Sequence, residues 1–407
     1  MLIFVSVNRI LTIKQSYHER VVNYLCNAQM RDFNQFELTA MHALNYHPHH
    51  NPQQVVPFVK LDGLNAYVNT LFPGLVILGP DPHEHSGVGQ IPGTNTKLVF
   101  HCESHMSPSV FEPYGSTVTL MTGNFRDVFI MGARPFWATN LIGSPALENK
   151  IAVGPCAYEG DGSVCICGNC KVITIAERNQ LHFQGMLDAC KALGVAMMAG
   201  GTSTSIKGPV PAVAATVIGV LTVDQPLRKP ARHAGDKLIL IGKTDESGND
   251  TAYRAGVAGA EIMIPAKPLF EPERISGEGV LAAIQTGKVN AGSDLGAAGI
   301  VAASRESACA GGLGVIVDLS AVALTESARD ISPFEIAFNE TQARYALQVN
   351  SNNVDEVLEA IRSTGATANV VGEITETKEA VYTFGSDIIA RIPNEPPEGI
   401  MEILCKM

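Results

Sequence analysis

The sequence is 407 residues long, and 46% of its residues are hydrophobic while only 17% are charged, so the chain can bury a large core. At about 150 residues per domain, we expect two or three globular domains. The net charge of −11 leaves no basic surface for a polyphosphate backbone, which excludes nucleic acid as an expected partner.

The apolar segments predict neither a signal peptide nor a membrane span. The opening run MLIFVSV has no preceding positive charge, so it predicts a strand. The longest later run, Val210 to Leu221, is shorter than the ~20 residues that a span needs, and Pro211 interrupts it. Nine cysteines without a secretory signal favour reduced thiols or metal ligands, and we therefore predict a cytoplasmic protein.

Composition shifts along the chain predict three units. Residues 1–57 form an N-terminal appendage, and residues 58–226 alternate β-rich and helical runs. A basic segment with proline and glycine over 227–236 predicts a linker, and residues 235–395 form a second domain. We therefore predict an α/β (α+β) fold with two sheet-containing domains.

The first chemically distinctive segment is HCESHMSPSVFEPYG, which covers residues 101–115. Glu103, Ser104 and His105 follow an apolar run, Leu98 to His101, that predicts a strand. A carboxylate, a hydroxyl and an imidazole thus leave the edge of a sheet together. Mg²⁺ prefers carboxylates together with phosphate oxygens, so the triplet indicates a phosphate site. A polar loop with a capping glutamate is the alternative.

The second segment is GNFRDVFIMGARP, in which the run Phe125 to Met131 predicts a helix that Gly132 ends. Arg126 and Asp127 are adjacent polar residues on this otherwise apolar helix. Burying such a charge pair costs free energy unless the pair meets a partner or a ligand. A solvated turn of helix is the alternative interpretation.

A cluster of four cysteines lies within a segment rich in glycine, aspartate and serine. Cys156, Cys165, Cys167 and Cys170 have the spacing C-x8-C-x-C-x2-C. Four thiolates could hold a tetrahedral zinc ion that folds this loop. The C-x-C step strains ordinary zinc-knuckle geometry, however, so the sequence favours a loop of free thiols.

The third segment of interest runs from Asn290 to Gly314 and is rich in small residues. Asp294 stands where we expect a helix N-cap, and the small residues behind it allow a phosphate or another backbone to approach closely. A capped and tightly packed helix without a ligand is the alternative.

The last predicted elements are a strand, a helix and a second strand. The run Tyr345 to Val349 predicts the first strand, and Ala368 to Ile374 predicts the second. Between them, Asn353 and Glu356 have the spacing of a helix capping box. This order implies a sheet with helices on one face.

Four segments, in this order, resemble formylglycinamidine ribonucleotide synthase. They read ESHMSPSVFEPY, GNFRDVFIMGARP, SDLGAAG and ETQAR, and they are similar to the first half of that family over roughly Glu37 to Pro396. The resemblance implies an aminoimidazole ribonucleotide synthase-like fold, with an N-terminal sheet domain that dimerises and a C-terminal α/β domain. It also implies an ATP-dependent ligase that phosphorylates an amide oxygen, after which ammonia from a glutaminase displaces the phosphate.

The resemblance also implies roles for individual residues. Glu103, Asp127 and Asp294 become Mg²⁺ ligands, and His105 becomes the general base. His47 falls at the place of a second family histidine. The residues expected to hold the amide substrate are Ser104, His105, Met106, Ser107, Arg126, Glu340, Thr341 and Gln342, and those expected near ATP are His101, Gly200 and Ser203.

Several departures from the family leave other functions open. His101 replaces a family lysine, and Ser107 replaces the second histidine of the family's SHNH motif. The chain resembles only one of two related halves, so we expect a homodimer to complete the ATP site. A diverged enzyme that phosphorylates another amide or carbonyl, and a non-catalytic partner subunit, are the alternatives.

Overall fold

The computed structural model describes residues 63–79, 81, 84–105, 108–154, 170–206, 211–248 and 265–394. The predicted appendage 1–57 lies outside these residues. The strands are β1 (Val76–Leu78), β2 (Gly87–Gln90), β3 (Lys97–Ser104), β4 (Ala133–Gly143), β5 (Lys150–Val153), β6 (Lys171–Thr174), β7 (Ala196–Ser203), β8 (Ala212–Leu221), β9 (Lys237–Ile241), β10 (Val289–Asp294), β11 (Gly314–Asp318), β12 (Tyr345–Val349), β13 (Ala368–Thr375), β14 (Glu379–Phe384) and β15 (Asp387–Pro393).

A helical segment covers 63–71. The helices that follow it are α1 (Pro108–Phe111), α2 (Pro113–Ile130), α3 (Ile175–Leu193), α4 (Phe270–Gln285), α5 (Gly299–Ala310), α6 (Pro333–Phe338) and α7 (Val354–Ser363), and short 3₁₀ turns lie at Glu246–Gly248, Leu319–Ala321 and Ser351–Asn353. Within the described part of the chain, no helix is both long and apolar enough to span a membrane. The strands and helices together confirm the predicted mixed α/β fold class.

The first sheet has six strands in the order β1-β2-β3-β8-β4-β7, and only the pair β4 and β7 is parallel. Residues on β8 alternate between buried and partly exposed positions, as in a sheet that packs on one face. Val213, Val217 and their neighbours on the buried face join the core formed with α2 and α3. On the other face of this sheet, Phe100, Trp137 and Leu141 are exposed.

The second sheet has seven strands in the order β10-β12-β9-β13-β11-β14-β15. Ile239 and Ile241 on β9 join the core that contains α4 and α7, whereas Leu238 and Leu240 join a second core with α5 and α6. The prediction of helices on one face is therefore wrong. Strand β9 is a continuous apolar run, which is typical of a strand that is buried on both faces.

Helix α2 is longer than the predicted run, because it begins at Pro113 and ends at Ile130. Proline suits the first helical position, and the Glu112 carboxylate accepts a hydrogen bond from the Gly115 N–H. Gly132 follows the helix with a φ of 86°, a left-handed conformation that favours glycine. The prediction that Gly132 ends this helix is confirmed.

The elements near the C-terminus agree with the sequence except at one cap. Strand β12 has the predicted bounds, and β13 extends the predicted strand by one residue. The predicted capping box is wrong, because the Asn353 side chain makes no capping hydrogen bond to α7. A 3₁₀ turn precedes the helix instead, and the Asn350 carboxamide oxygen accepts from the N–H of Asn352.

The buried imidazole of His182 on α3 makes the folded state sensitive to acid. Burial and then repulsion from Arg178 lower the pKa of His182 from 6.5 to about 3. The unfolded chain therefore takes up a proton at a higher pH than the folded chain does. Stability is present above about pH 6.5 and is lost as the pH falls towards the folded-state pKa.

We expect His182→Gln to lessen this loss, so that the stability difference between about pH 7 and about pH 5 shrinks by about 2 kcal/mol. Urea unfolding at the two pH values measures the difference. The exposed His233 provides a matched control, and His233→Gln should retain the parent's pH dependence. An unchanged pH dependence in His182→Gln would contradict the prediction.

Candidate active site

Carboxylates from three separate elements converge where the two sheets meet. Glu103 lies near the end of β3, Asp127 lies on α2, and Asp294 is the last residue of β10. One oxygen each from Asp127 and Asp294 lies within 4.8 Å of a nitrogen of His85, and Glu103 and His101 form a second such group with Asp127. The three residues predicted as metal ligands are thus brought together around Asp127.

Asp294 reaches this place in a different way from the one that the sequence indicates. It is paired with Tyr345 in β10 and β12, and α5 begins only after Ala298, whose φ is 62°. Its expected position as a helix N-cap is therefore wrong. The turn between β10 and α5 leaves the carboxylate at the end of a strand, where it faces α2.

Two imidazoles flank the Asp127 carboxylate. Nδ1 of His85 lies 2.9 Å from Oδ1 of Asp127 and 3.5 Å from Oδ1 of Asp294. Nε2 of His101 lies 3.2 Å from the other Asp127 oxygen. Sequence reasoning missed His85, although the pattern HEHSG around it is a visible signal.

The remaining ring nitrogens of these two histidines point at backbone carbonyls. Nδ1 of His101 lies 2.6 Å from the His85 carbonyl oxygen, and Nε2 of His85 lies 3.3 Å from the Gly292 carbonyl oxygen. A carbonyl only accepts hydrogen bonds, so each of these nitrogens carries a hydrogen. The nitrogen of each ring that faces Asp127 therefore donates a hydrogen when the ring is charged and offers a lone pair when the ring is neutral.

A buried ion pair holds Asp294 from the other side. The Arg126 guanidinium donates to Glu273 on α4, and its Nε lies 3.4 Å from Oδ2 of Asp294. Glu273 also accepts from the N–H of Ala343 at 2.8 Å. Arg126 is 3% exposed, so its guanidinium serves this internal pair in the structure, and the predicted contact with substrate stays a prediction. Sequence reasoning missed Glu273, which resembles an ordinary acidic residue in the first turn of a helix.

The charges of the cluster separate the two aspartates. Burial raises the pKa of Asp127, but His101, His85 and Arg126 outweigh this effect and lower it to about 2. Burial and the nearby Asp127 charge raise the pKa of Asp294. At neutral pH, Asp127 is therefore the more firmly ionised of the pair.

His105 has one nitrogen fixed and the other directed at Glu103. Its Nδ1 donates to the Ser116 carbonyl oxygen at 3.1 Å, and its Nε2 lies 3.8 Å from Oε1 of Glu103. Burial raises the pKa of Glu103, but His105 and then His101 bring it below its ordinary value. The Nε2 atom of His105 thus lies beside an ionised carboxylate, to which it donates when the ring is charged and presents a lone pair when the ring is neutral.

The loop predicted to hold the substrate is occupied with internal hydrogen bonds. Glu340 accepts from the N–H of Ala298 at 3.0 Å, and the Thr341 hydroxyl accepts from the N–H of Asp245 at 2.8 Å. The Gln342 amide donates to the Thr119 hydroxyl at 2.7 Å. Because the side chains of Thr341 and Gln342 are buried, they position the loop in this structure, and direct contact with substrate stays a prediction.

Other predicted site residues lie apart from the cluster or outside the described residues. Gly200 and Ser203 lie on β7, the outermost strand of the first sheet, and two strands separate β7 from β3. Ser104 is exposed at the end of β3. Of the four clustered cysteines, the structure describes only Cys170. The remaining predicted residues lie outside the described part of the chain: His47, Met106, Ser107, Cys156, Cys165 and Cys167.

Two family models match the chain on either side of the predicted linker. The N-terminal domain of AIR synthase related proteins matches residues 83–221, and the C-terminal domain matches residues 233–384. Together the two matches cover more than half of the sequence.

The chain belongs to the AIR synthase related proteins. Its curated relatives include the phosphoribosylformylglycinamidine synthase subunit PurL of Prochlorococcus marinus (strain MIT 9312), which is 30% identical over 328 residues. This match covers 78% of the present chain and 38% of the relative. The PurL subunit of Staphylococcus aureus (strain JH9) is 29% identical, with 79% of this chain and 41% of the relative covered. The chain therefore spans about two fifths of the length of these relatives.

The present chain has the same fold as a solved structure of a relative. Phosphoribosylformylglycinamidine synthase II from Thermotoga maritima superposes with a TM-score of 0.69 at 23% identity, covering 92% of this chain and 54% of that one. The sequence resemblance to an aminoimidazole ribonucleotide synthase-like fold is thus confirmed.

The buried pair of Arg126 and Glu273 should contribute strongly to the free energy of unfolding, because it joins α2 to α4 at the junction where the two sheets meet. We expect Glu273→Ala to lower the free energy of unfolding by about 3–5 kcal/mol, because it leaves a buried guanidinium without its main partner. Urea unfolding measures this loss.

A matched control lies on the same helix. Glu278 pairs with Arg134 at 2.5 and 2.6 Å, but both side chains are partly exposed. Glu278→Ala should therefore cost less than about 1 kcal/mol. Equal losses in the two variants would show that burial does not set the strength of the Arg126 pair.

Proposed function

We propose that this chain is an ATP-dependent carbon–nitrogen ligase that acts on formylglycinamide ribonucleotide or a close amide. The observation that carries the proposal is the junction cluster, in which Glu103, Asp127 and Asp294 converge beside His105. Carboxylates that can hold a divalent cation and an imidazole that can accept a proton are the two groups that this reaction requires.

Relatives support the proposal by name. The curated relatives are PurL subunits of phosphoribosylformylglycinamidine synthase. Thermotoga maritima PurL has been solved in complexes with ATP and with FGAR. The same relative has been solved as PurLQS. We propose that this chain receives ammonia from a separate glutaminase subunit, as the sequence resemblance implies.

The geometry suggests how the side chains divide the work. A cation held by Asp127, Asp294 and Glu103 would neutralise charge on the transferred phosphate; the sequence predicts Mg²⁺ for this role. Arg126 keeps one Asp294 oxygen turned towards α2, which leaves the other near His85. The Nε2 lone pair of His105 would take a proton from the attacking ammonia while the amide oxygen leaves with phosphate.

A diverged enzyme for another amide or carbonyl is the second candidate. His101 stands at the place of the lysine that the resemblance directs towards ATP, and its Nε2 faces Asp127. This contact favours a changed phosphate site, and with it a changed substrate.

An ADP-release assay with free ammonium and a panel of amide ribonucleotides tests the proposal. We expect the fastest release with formylglycinamide ribonucleotide. Release with another amide or carbonyl alone would support the diverged enzyme. A chain that binds no nucleotide and releases no ADP would be a non-catalytic partner.

Variants of the proposed base and a proposed ligand should separate the two roles. We expect His105→Asn to lower kcat by ~10²-fold or more with nucleotide affinity unchanged, since a general base acts only in the transition state. Asp127→Asn should weaken nucleotide binding and turnover together, because the cation neutralises charge in both states. Steady-state kinetics and nucleotide titration measure both.

The exposed Asp355 on α7 supplies a control for the loss of a carboxylate, and Asp355→Asn should behave as the parent. If His105→Asn kept normal turnover, or if Asp127→Asn bound cation and nucleotide as tightly as the parent, the proposed site would be wrong.

We also propose that a second copy of this chain covers the outer face of the first sheet. Phe100, Ile218 and Trp137 stand side by side on β3, β8 and β4, and Phe100 and Trp137 are 41% and 42% exposed. Leu141 continues this apolar row along β4 and is 52% exposed. A contiguous apolar sheet face is a surface that proteins usually bury against a partner.

Light scattering should give twice the chain mass of 43.3 kDa for the parent protein. We expect Leu141→Asp to shift the protein towards the single-chain mass, because it buries a charge in the proposed interface. Ile388 is similarly exposed on the second sheet, and Ile388→Asp should leave the mass unchanged. A parent protein that remains a monomer while it releases ADP would exclude the shared site.

A further inference from the structure

Backbone carbonyls orient the two imidazoles beside Asp127. His101 lies on β3 and His85 lies two residues before β2. Each ring, when neutral, donates its only ring hydrogen to a main-chain carbonyl. Ligating histidines in metalloproteins are commonly oriented by such a hydrogen bond from the second ring nitrogen.

The nitrogens left over face carboxylate oxygens at hydrogen-bond distance. Nδ1 of His85 and Nε2 of His101 lie 2.9 and 3.2 Å from the two oxygens of Asp127. A lone pair that faces a carboxylate oxygen at this distance is repulsive unless a proton or a metal ion lies between them.

The charge around these nitrogens can accommodate a dication. Glu273 and Asp294 pair with the Arg126 guanidinium, Asp127 and Glu103 lie beside His101 and His105, and Lys229 is paired with Glu306. The described cluster is thus negative overall. One dication would offset as much of this charge as two added protons, and it would also join both aspartates.

We propose that His85, Asp127 and Asp294, together with His101 and Glu103, hold a first-row transition-metal dication such as Mn²⁺ in preference to Mg²⁺. The inference deepens the proposed function, since it names the cation of the same site. It is tested on metal binding without nucleotide, so it can fail while the ligase proposal stands.

The donor set is the reason for the preference. Mg²⁺ selects oxygen ligands, keeps several waters and gains little from imidazole, whereas first-row transition metals accept imidazole nitrogen readily. Two of the five side chains in this site offer nitrogen. The sequence alone would have indicated an all-oxygen site, because it singled out only the three carboxylates.

Mn²⁺ is a suitable probe because it is paramagnetic and because thiolate ligands select other metals, so the cysteine loop would not compete for it. We propose to strip the full chain of metal, titrate it with Mn²⁺ and follow the free ion by electron paramagnetic resonance. Competition with Mg²⁺ then compares the two ions, and pulsed measurements detect ¹⁴N coupled to the bound Mn²⁺.

We expect one tight Mn²⁺ site with ¹⁴N coupling that needs at least ~100-fold more Mg²⁺ for displacement. His85→Ala should weaken Mn²⁺ binding by ~10-fold or more and reduce the ¹⁴N coupling. His101→Ala should act in the same way. His233→Ala removes an exposed imidazole elsewhere and should change neither quantity.

The unsubstituted chain alone can overturn the inference, so it does not depend on whether a variant folds. Bound Mn²⁺ without ¹⁴N coupling, displacement by Mg²⁺ at similar concentrations, or absence of a tight Mn²⁺ site would each exclude it. Folded His85→Ala, verified by thermal melting, that retains parental affinity and coupling would exclude His85 as a ligand.

Discussion

The buried ion pair between Arg126 and Glu273 is the interaction on which the candidate site depends. It joins α2, which packs on the first sheet, to α4, which packs on the second. Removing a charged side chain from water is costly, and the pair tolerates burial only because hydrogen bonds from both sides satisfy it. Its presence therefore fixes how the two sheets face each other at the junction.

Asp127 follows Arg126 directly, so the same helix that anchors the junction also presents a carboxylate to it. The guanidinium and the two imidazoles lower the pKa of Asp127, whereas burial beside a like charge raises the pKa of Asp294. Two acidic groups of the same type thus have different proton affinities because their neighbours differ. This difference suits a site that must hold a cation and tolerate a phosphate.

Much of the fold could be predicted because its signals are local. The strand at Tyr345–Val349 and the helix end at Gly132 depend on short runs of apolar residues and on one glycine. The burial of β9 on both faces depends on helices far away in the chain, which explains why helices on one face were expected. The capping box failed because an extra 3₁₀ turn, capped by Asn350, competes for the same residues.

The site could be predicted only in part, because some of its contacts join residues that are far apart in the sequence. The carboxylates lie in motifs with recognisable neighbours, but His85 meets Asp127 across 42 residues and Glu273 meets Arg126 across 147. Nothing in the local sequence of Glu273 distinguishes it from a solvent-exposed acid. Contacts of this kind arise from the packing of the two sheets.

Glu273 has one further role that follows from its second hydrogen bond. It accepts from the N–H of Ala343, whose φ of 65° places it in the left-handed region that non-glycine residues rarely adopt. One carboxylate therefore restrains the backbone of the Glu340–Arg344 loop and orients the guanidinium beside Asp294. Movement of the loop would therefore shift the cation ligands, and binding of a cation would in turn alter the motion of the loop. The exchange rate of the Ala343 amide hydrogen would then report, from outside the cluster, whether the junction is filled.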